Sequence, residues 1–197
     1  MSQNFKLVGL AGIAGAGKDT FCELYQEVLN NLGVPSKSFA FAHALKVEVS
    51  KPIYESFGID ILNCTREEKE LVRHILIGWG DARRKQTNGT HWFSKVAREV
   101  SKNSGISIIT DVRFKEFEYD EVDWLKANDG ILIHIRKYKY DNWMYEKEYY
   151  EAQNHLEAIN DPKLIQMADY HFEWLESPNR AENLKSVEDF LNSNGLI

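Results

Sequence analysis

The chain has 197 residues, which suits one domain, and its 30 acidic and 24 basic side chains give a formal net charge of −6. The net negative charge argues against binding of polymeric nucleic acid, which usually needs a basic surface. The content of 43% hydrophobic and 27% charged residues is that of a folded protein and argues against disorder. The two cysteines exclude a disulfide-rich scaffold, so that a soluble globular domain remains.

Strand and helix patterns alternate along the sequence. Apolar runs predict strands at 5–10, 36–41, 105–110, 131–135 and 170–174, and periodic apolar residues predict helices at 18–32, 45–57, 67–77, 91–101, 116–127 and 180–192. Such alternation favours an α/β fold with three layers, in which helices cover both faces of a parallel sheet of about five strands. Parallel sheets of this kind bind ligands beyond the carboxyl ends of their strands.

We expect a single domain over residues 1–197, with an insert at 44–104. The aromatic and charged stretch at 137–159 is interpreted as a lid formed by a mobile helical excursion, although a charged surface loop is an equal alternative. No apolar run reaches the ~20 residues of a membrane helix, and the first residues lack the pattern of a signal peptide. A cytoplasmic protein without membrane partners is therefore expected.

The strongest motif follows the first predicted strand and opens the first helix. Residues 12–18 fit the pattern G-x-x-x-x-G-K of a phosphate-binding loop. Glycines let the backbone approach phosphate oxygens, successive N–H groups form an anion nest, and Lys18 adds a full charge. The alternative is a glycine-rich turn without a ligand. The nucleotide-binding residues predicted here are Gly12, Ala14, Gly15, Ala16, Gly17, Lys18, Asp19 and Thr20.

The residue after the lysine departs from the usual pattern. Ser or Thr normally stands there as a magnesium ligand, whereas this chain has Asp19 followed by Thr20. A carboxylate is also a hard oxygen ligand, so Asp19 is predicted to bind the metal directly or through water, with Thr20 as the alternative. Asp19 could equally serve only as an acid that favours the helix dipole.

A second acid follows the strand predicted at 105–110. If that strand neighbours the first, Asp111 lies near the phosphate loop and can hold a water of the magnesium shell or orient the attacking group. Arg113 can clamp a phosphate through two hydrogen bonds. The catalytic residues predicted are thus Lys18, Asp111 and Arg113, while a structural Asp–Arg pair in the loop is the alternative.

Arginines are frequent within the insert at 44–104. If the chain transfers a phosphoryl group from a nucleotide bound at the phosphate loop, this insert would bind the phosphate that accepts it. Arg83 and Arg84 are predicted to bind it together with Arg113, and since neighbouring helical residues point ~100° apart, one of the two reaches in. Trp79, Trp92 and Phe41 are candidates to stack on a base, although core packing is the more frequent fate of such aromatics. Arg136, at the end of a strand, is predicted to contact the ATP phosphates.

The motifs together resemble one kinase family. Gly-Lys-Asp-Thr at 17–20, Thr-Asp-Val-Arg-Phe at 110–114 and the stretch from Gly78 to Arg84 resemble the bacteriophage deoxynucleoside monophosphate kinases. A departure is His43, where the family often has an acid. The resemblance implies a P-loop kinase that uses ATP and Mg²⁺ to convert a deoxynucleoside monophosphate to the diphosphate in the cytoplasm of an infected cell.

Two other functions stay open. A kinase with a hydroxyl acceptor, such as a dephospho-coenzyme A kinase, would need a carboxylate base, and Asp111 could serve as one. A nucleotide-binding regulator or ATPase would transfer no phosphoryl group to a small molecule. The expected partners are small-molecule nucleotides rather than nucleic acid, and a homodimer is left open.

Overall fold

The computed structural model describes residues 6–140, 146–175 and 179–197. These residues form six strands and seven helices. In chain order they are β1 (Leu7–Ala11), α1 (Lys18–Asn31), β2 (Ser36–Phe39), α2 (Phe41–Phe57), α3 (Arg66–Gln86), α4 (His91–Val100), β3 (Ile106–Val112), α5 (Glu121–Ala127), β4 (Ile131–Tyr140), β5 (Lys147–Tyr149), α6 (His155–Met167), β6 (Tyr170–Leu175) and α7 (Arg180–Ser193).

The centre of the fold is a parallel sheet with the strand order β2-β3-β1-β4-β6. The short strand β5 pairs antiparallel with the outer end of β4, opposite Tyr138–Tyr140. The predicted α/β fold with a mostly parallel five-stranded sheet is confirmed. Because β1 and β3 are direct parallel neighbours, the loop after β1 and Asp111, near the end of β3, lie at the same edge of the sheet.

Helices cover both faces of the sheet, as strands buried on both sides require. On one face, Phe21, Leu24 and Val28 of α1 and Val187 of α7 pack on Val8 of β1 and its neighbours. On the other face, apolar residues of α2, α4, α5 and α6 pack on Ile109 and Leu132. Within the described ranges, no helix combines the length and apolar character needed to cross a membrane.

Helix α3 lies outside these layers and packs on α2. Val49 and Ile53 of α2 meet Val72 and Leu76 of α3 in a separate apolar cluster. The N-terminus of α3 has a capping box, in which Thr65 accepts from the Glu68 N–H and Glu68 accepts from the Thr65 N–H. The predicted insert thus corresponds to a helical unit, α2 to α4, between β2 and β3.

The stretch predicted as a helical lid differs in the structure. Strand β4 runs on to Tyr140, and β5 turns back along it, so the described part of this stretch before α6 is a strand pair. Residues 141–145 of the predicted lid lie outside the described residues. Alternating aromatic and charged residues, Arg136-Lys137-Tyr138-Lys139-Tyr140, suit an exposed strand and explain this result.

Candidate functional site

The loop between β1 and α1 turns through three glycines. Gly12, Gly15 and Gly17 all have positive φ, at 135°, 80° and 87°. A Cβ on Gly12 would lie 2.3 Å from the Ile135 oxygen, and one on Gly17 would lie 2.2 Å from a ring atom of Trp174. A Cβ on Gly15, in contrast, would meet no described atom within 4 Å. Gly12 and Gly17 therefore allow the loop to pack closely against the strands β4 and β6, while Gly15 leaves the outer side of the loop open to a ligand.

The N-terminus of α1 faces into this loop. Gly17 is the N-cap residue, and no side chain within the described ranges caps the helix. The first N–H groups of a helix have no acceptor within it, so those of Lys18, Asp19 and Thr20 are available to an anion. The side chains of Asp19 and Thr20 are exposed in this first turn, and Ala14 is half-buried in the loop.

Lys18 is almost completely buried in the loop. Its Nζ donates to the carbonyl oxygens of Gly12 and Ile13 at 2.7 and 2.8 Å. Burial, and then the nearby positive charge of Arg113, lower the pKa of Lys18 to about 8, although the charges of Glu157, Asp19 and Asp111 act in the opposite direction. Four predicted site residues, Lys18, Asp19, Asp111 and Arg113, are thus brought together.

Strand β6 holds the loop in place through a hydrogen bond. Trp174 in β6 donates its indole N–H to the Ala16 carbonyl at 2.9 Å, and both groups are buried. No sequence pattern indicates this contact, because the two residues are 158 positions apart. Trp174 positions the backbone that the phosphates would contact.

Asp111 joins β3 to the start of α2. Its two carboxylate oxygens accept the backbone N–H groups of Phe41 and Ala42 at 2.7 and 2.8 Å. Burial raises the pKa of Asp111, against the opposing effects of Arg113, the two N–H groups and Lys18. Each carboxylate oxygen keeps a further lone pair, so Asp111 can still accept one more hydrogen bond or contact a cation.

Glu121 holds the backbone that presents Arg113. Its Oε2 accepts the N–H groups of Arg113 and Phe114 at 2.8 and 3.1 Å. The Arg113 side chain itself is exposed. Sequence reasoning missed Glu121, and also Glu157, which is in the first turn of α6 and close enough to Lys18 to affect its pKa.

A second group of cations lies next to Arg113. Burial, followed by the charges of Lys46, Arg73 and Arg113, lowers the pKa of Lys69. Lys46 is one turn beyond Ala42, the residue hydrogen-bonded to Asp111, and Lys69 is one turn before Val72 on the side of α3 that packs on α2. We call Lys46, Lys69, Arg73 and Arg113 the cationic cluster. It contains one predicted site residue, Arg113, and three that were not predicted.

The two arginines predicted for the acceptor are engaged elsewhere. Arg84 is 3% exposed, bridges to Asp120 at 2.9 Å and Glu116 at 3.2 Å, and stacks 3.6 Å from the Phe114 ring centre. This placement corrects the expectation for Arg84, because the inward face of α3 carries it into the core. Arg83 donates to Glu48 at 2.7 Å and remains partly exposed.

The three aromatic candidates for base stacking are largely core residues. Phe41 and Trp92 are buried, and Trp79 is partly buried with its indole N–H donated to Glu48 at 2.8 Å. Phe41 meets Trp124 edge to face, and Trp92 donates to the Gly80 carbonyl. Their packing is the alternative that the sequence analysis had already favoured.

Arg136 lies beside the phosphate loop. It lines a cavity of about 210 Å³ together with Ile13 of the loop. Its guanidinium stacks 3.7 Å from the Tyr149 ring centre, and Nη1 is 3.4 Å from Glu173. A predicted phosphate contact from Arg136 would use its remaining donors.

A wider groove of about 690 Å³ adjoins the N-terminus of α2. It is lined by residues of β2, α2 and α4, among them Phe39, His43 and Lys95. Because Thr110 also lines it, the groove begins next to Asp111. It offers the aromatic ring of Phe39 and the cations Lys37 and Lys95, together with the carboxylate of Glu99.

The fold has relatives among solved structures. No protein-family model and no curated protein matches the chain. A dephospho-CoA kinase from Campylobacter jejuni is similar at 16% identity, with 97% of this chain and 98% of that chain covered and a TM-score of 0.48. A shikimate kinase from Acinetobacter baumannii in complex with shikimate is similar at 15% identity, with 99% and 97% covered and a TM-score of 0.49. The likeness is one of fold.

Proposed function

We propose that the chain is an ATP-dependent phosphotransferase that moves the γ-phosphoryl group of ATP to the phosphate of a nucleoside monophosphate. The observation that carries this proposal is that Arg113 lies close both to Lys18 in the loop after β1 and to Lys69 of the cationic cluster, so that two groups of positive charge adjoin. The deoxynucleotide as the preferred acceptor rests on the sequence resemblance, which is strongest at 17–20 and 110–114.

The donor end of the reaction uses backbone and lysine. The N–H groups at the start of α1 would hold the β- and γ-phosphates, and Lys18 would exchange its two carbonyl contacts for phosphate oxygens. Phosphate charge near Lys18 favours its protonated form, which offsets the lowering of its pKa by burial. Arg136 would add a further charge from the side of β4.

Magnesium would accompany the nucleotide. Among the described residues there is no group of three or more His, Cys, Asp or Glu side chains that could hold a metal ion by themselves. Mg²⁺ usually takes one or two carboxylates and completes its shell with phosphates and water. Asp111 and Asp19, which both act on Lys18, fit that donor set, with the Thr20 hydroxyl as a third oxygen. Bound Mg²⁺ would neutralise charge on the transferred group.

The acceptor end needs positive charge and no general base. The phosphate of a nucleoside monophosphate carries about −1.5 to −2 charges at neutral pH, so its oxygen is already a nucleophile. Lys46, Lys69 and Arg73 would bind this phosphate, and Arg113 would lie between acceptor and donor. Burial, and then the like charges around it, lower the pKa of Lys69, and a bound dianion would relieve the repulsion between these charges.

A hydroxyl acceptor is the second candidate. Its kinase would need a carboxylate to take the proton, and both Asp111 and Glu157 lie close enough to Lys18 to act on its pKa. A buried carboxyl with a raised pKa, as Asp111 has, is suited to that task.

The test is ADP release from ATP and Mg²⁺ with each of dGMP, dTMP, dCMP, dAMP and their ribose forms. We expect acceptor-dependent release with a diphosphate product, and loss of it in Lys18→Ala. Lys69→Gln should raise the acceptor KM at least ~10-fold, the equivalent of ~1.4 kcal/mol, with little change in the ATP KM. Lys51→Gln is the control: Lys51 lies on α2, is exposed and pairs with Glu55, so this variant should match the unmodified protein.

Each alternative has its own outcome. ADP release that ignores every nucleotide would indicate an ATPase or regulator. Turnover only with dephospho-coenzyme A or another hydroxyl acceptor, lost in Asp111→Asn, would replace the proposal by the second candidate. An unchanged acceptor KM in Lys69→Gln would remove the cationic cluster from the acceptor site.

A further inference from the structure

Buried side chains hold the backbone of residues 113–117, which we call the Arg113 loop. Each of its five successive N–H groups donates to a carboxylate or amide oxygen. Glu121 accepts the first two at 2.8 and 3.1 Å, and Asp120 accepts the last two at 3.0 and 3.3 Å. The N–H group of Lys115, in the middle, donates to Asn160 at 3.1 Å. Because the three acceptors are at most 2% exposed, the loop is fixed from within the protein.

Asn160 reaches this loop from a distant part of the chain. The other two acceptors stand at the start of α5, directly after the loop, whereas Asn160 lies on α6, 45 positions from Lys115. Lys163, also on α6, donates to the Lys115 carbonyl at 2.9 Å. Both the N–H and the carbonyl of Lys115 therefore attach the loop to α6.

The Asn160 amide uses its donors as well as its oxygen. Nδ2 donates to Glu116 Oε1 and to the Leu156 carbonyl, both at 2.9 Å. The other oxygen of Glu116 accepts from Arg84 of α3 at 3.2 Å. An amide can bind the loop N–H and the Glu116 carboxylate together, whereas an ionised carboxylate can accept but cannot donate. Asparagine at position 160 thus connects α6 to the loop and, through Glu116, to α3.

Helix α6 also borders the donor side of the site. Burial lowers the pKa of Lys18, and the charge of Glu157, one turn before Asn160 on the same face of α6, acts in the opposite direction. Asp161 Oδ1 is 2.9 Å from His134 Nε2 in β4. The same helix therefore adjoins the lysine of the phosphate loop, a strand next to β1 and the Arg113 loop.

We propose that Asn160 is a positioning residue, which holds the Arg113 loop against α6 so that Arg113 stands between the donor and acceptor phosphates. The Arg113 side chain is exposed, so the backbone of the loop decides where it stands. Without Asn160, four of the five N–H groups keep their acceptors, so its loss should displace the loop rather than unfold the protein. The inference rests on the proposed function, in which Arg113 lies between acceptor and donor.

The first test is the kcat of Asn160→Asp with ATP, Mg²⁺ and a saturating nucleotide acceptor. Aspartate has the same size, but it cannot donate and places a second carboxylate beside Glu116. The kcat should fall at least ~10-fold, the equivalent of ~1.4 kcal/mol, while the ATP affinity measured by calorimetry changes less than ~3-fold. Asn103→Asp is the matched control, since Asn103 donates to the Gly105 carbonyl and the Ser107 hydroxyl near the start of β3, and it should leave kcat unchanged.

Two double variants separate positioning from a loss of stability. Combining Asn160→Asp with Glu116→Gln exchanges donor and acceptor within this pair, and the glutamine oxygen can still accept from Arg84, so kcat should return to within ~3-fold of the unmodified protein. If Asn160 acts through Arg113, adding Asn160→Asp to Arg113→Ala should lower kcat by less than ~2-fold beyond Arg113→Ala alone. Circular dichroism melting verifies that all variants fold.

The outcomes distinguish this inference from the proposed function. Acceptor-dependent turnover that Asn160→Asp leaves unchanged, equal losses in Asn160→Asp and Asn103→Asp, no recovery in the exchanged pair, or additive losses with Arg113→Ala would overturn the inference while the proposed function stands. Absence of turnover with every nucleotide in the unmodified protein would overturn the proposed function, and this inference with it.

Discussion

Replacing Glu121 by glutamine should remove a pH dependence from the stability of the protein. Glu121 is 2% exposed and shares the Arg84 guanidinium with Asp120 and Glu116, so one buried cation faces three carboxyl groups. Burial raises the pKa of Glu121 from 4.5 to about 8, against the opposing effects of Arg84 and of the Arg113 N–H. The folded protein therefore keeps a proton on Glu121 at neutral pH.

The sign of the effect follows from where the proton is released. Below pH 4.5 the carboxyl is protonated in both states. Between 4.5 and about 8 the unfolded chain releases the proton and the folded chain keeps it, so rising pH favours unfolding. At ~1.36 kcal/mol per pH unit, the retained proton can lower the free energy of unfolding by at most about 5 kcal/mol over this interval. About 3 kcal/mol of that loss falls above pH 5.5.

Urea unfolding at about pH 5.5 and about pH 8.5 measures this contribution. Asp111, whose pKa is also raised, contributes in the same direction, so the informative quantity is the difference between the unmodified protein and Glu121→Gln. Glutamine can accept the same two N–H groups but does not titrate. The Glu121→Gln variant should therefore lose about 2–3 kcal/mol less stability over this pH range than the unmodified protein does. Glu118→Gln is the control, since Glu118 is an exposed acid in the loop just before α5. Equal losses in Glu121→Gln and the unmodified protein would refute the reasoning.

Four further substitutions test the loop and the helical insert. Gly17→Ala should destabilise the fold by about 1–3 kcal/mol in urea unfolding, because its φ is positive and its Cβ would collide with Trp174, whereas Gly15→Ala should weaken ATP binding by calorimetry with a smaller loss of stability. Trp174→Phe leaves the Ala16 carbonyl without its indole donor, so we expect a loss of about 1–3 kcal/mol and weaker ATP binding; an unchanged ATP affinity would show that the indole does not position the loop. Burial would raise the pKa of Glu48, but hydrogen bonds from Lys95, Trp79, His91 and Arg83 outweigh it and hold that pKa well below its usual range. Glu48→Gln should therefore cost about 1.5–3 kcal/mol of stability at neutral pH. The unmodified protein should lose this stability as pH falls below 4.5, and the variant should not. Parallel curves of stability against pH for the two proteins would contradict the stabilising role of the Glu48 carboxylate.

The fold was largely predictable because its elements are locally encoded. The apolar periodicity of 18–32 predicted α1 to within one residue, and the strand at 170–174 was predicted almost to its end. The helix predicted at 116–127 begins only at Glu121, because Asp120 and Asp123 form a capping box there. Helix α6 was missed because its apolar residues do not follow one face and Pro162 interrupts the pattern.

The site was predictable only where it is continuous in sequence. The phosphate loop and the Asp111–Arg113 segment each lie within a few residues, and the parallel sheet brings them together. The cationic cluster and Trp174 depend on contacts between distant elements, which spacing does not reveal. Arg84 shows the converse, since its position in an arginine-rich stretch indicated a ligand contact while its place on α3 turned it inward.

The contact of the Trp174 indole makes the phosphate loop depend on a segment of the chain that is synthesised much later. The carbonyl of Ala16 in the phosphate loop receives its donor from a residue that is made 158 positions later. A nascent chain would therefore reach its full affinity for nucleotide only after β6 has been made and has joined the sheet. Unfinished or C-terminally truncated chains would carry the complete loop sequence and still bind nucleotide poorly.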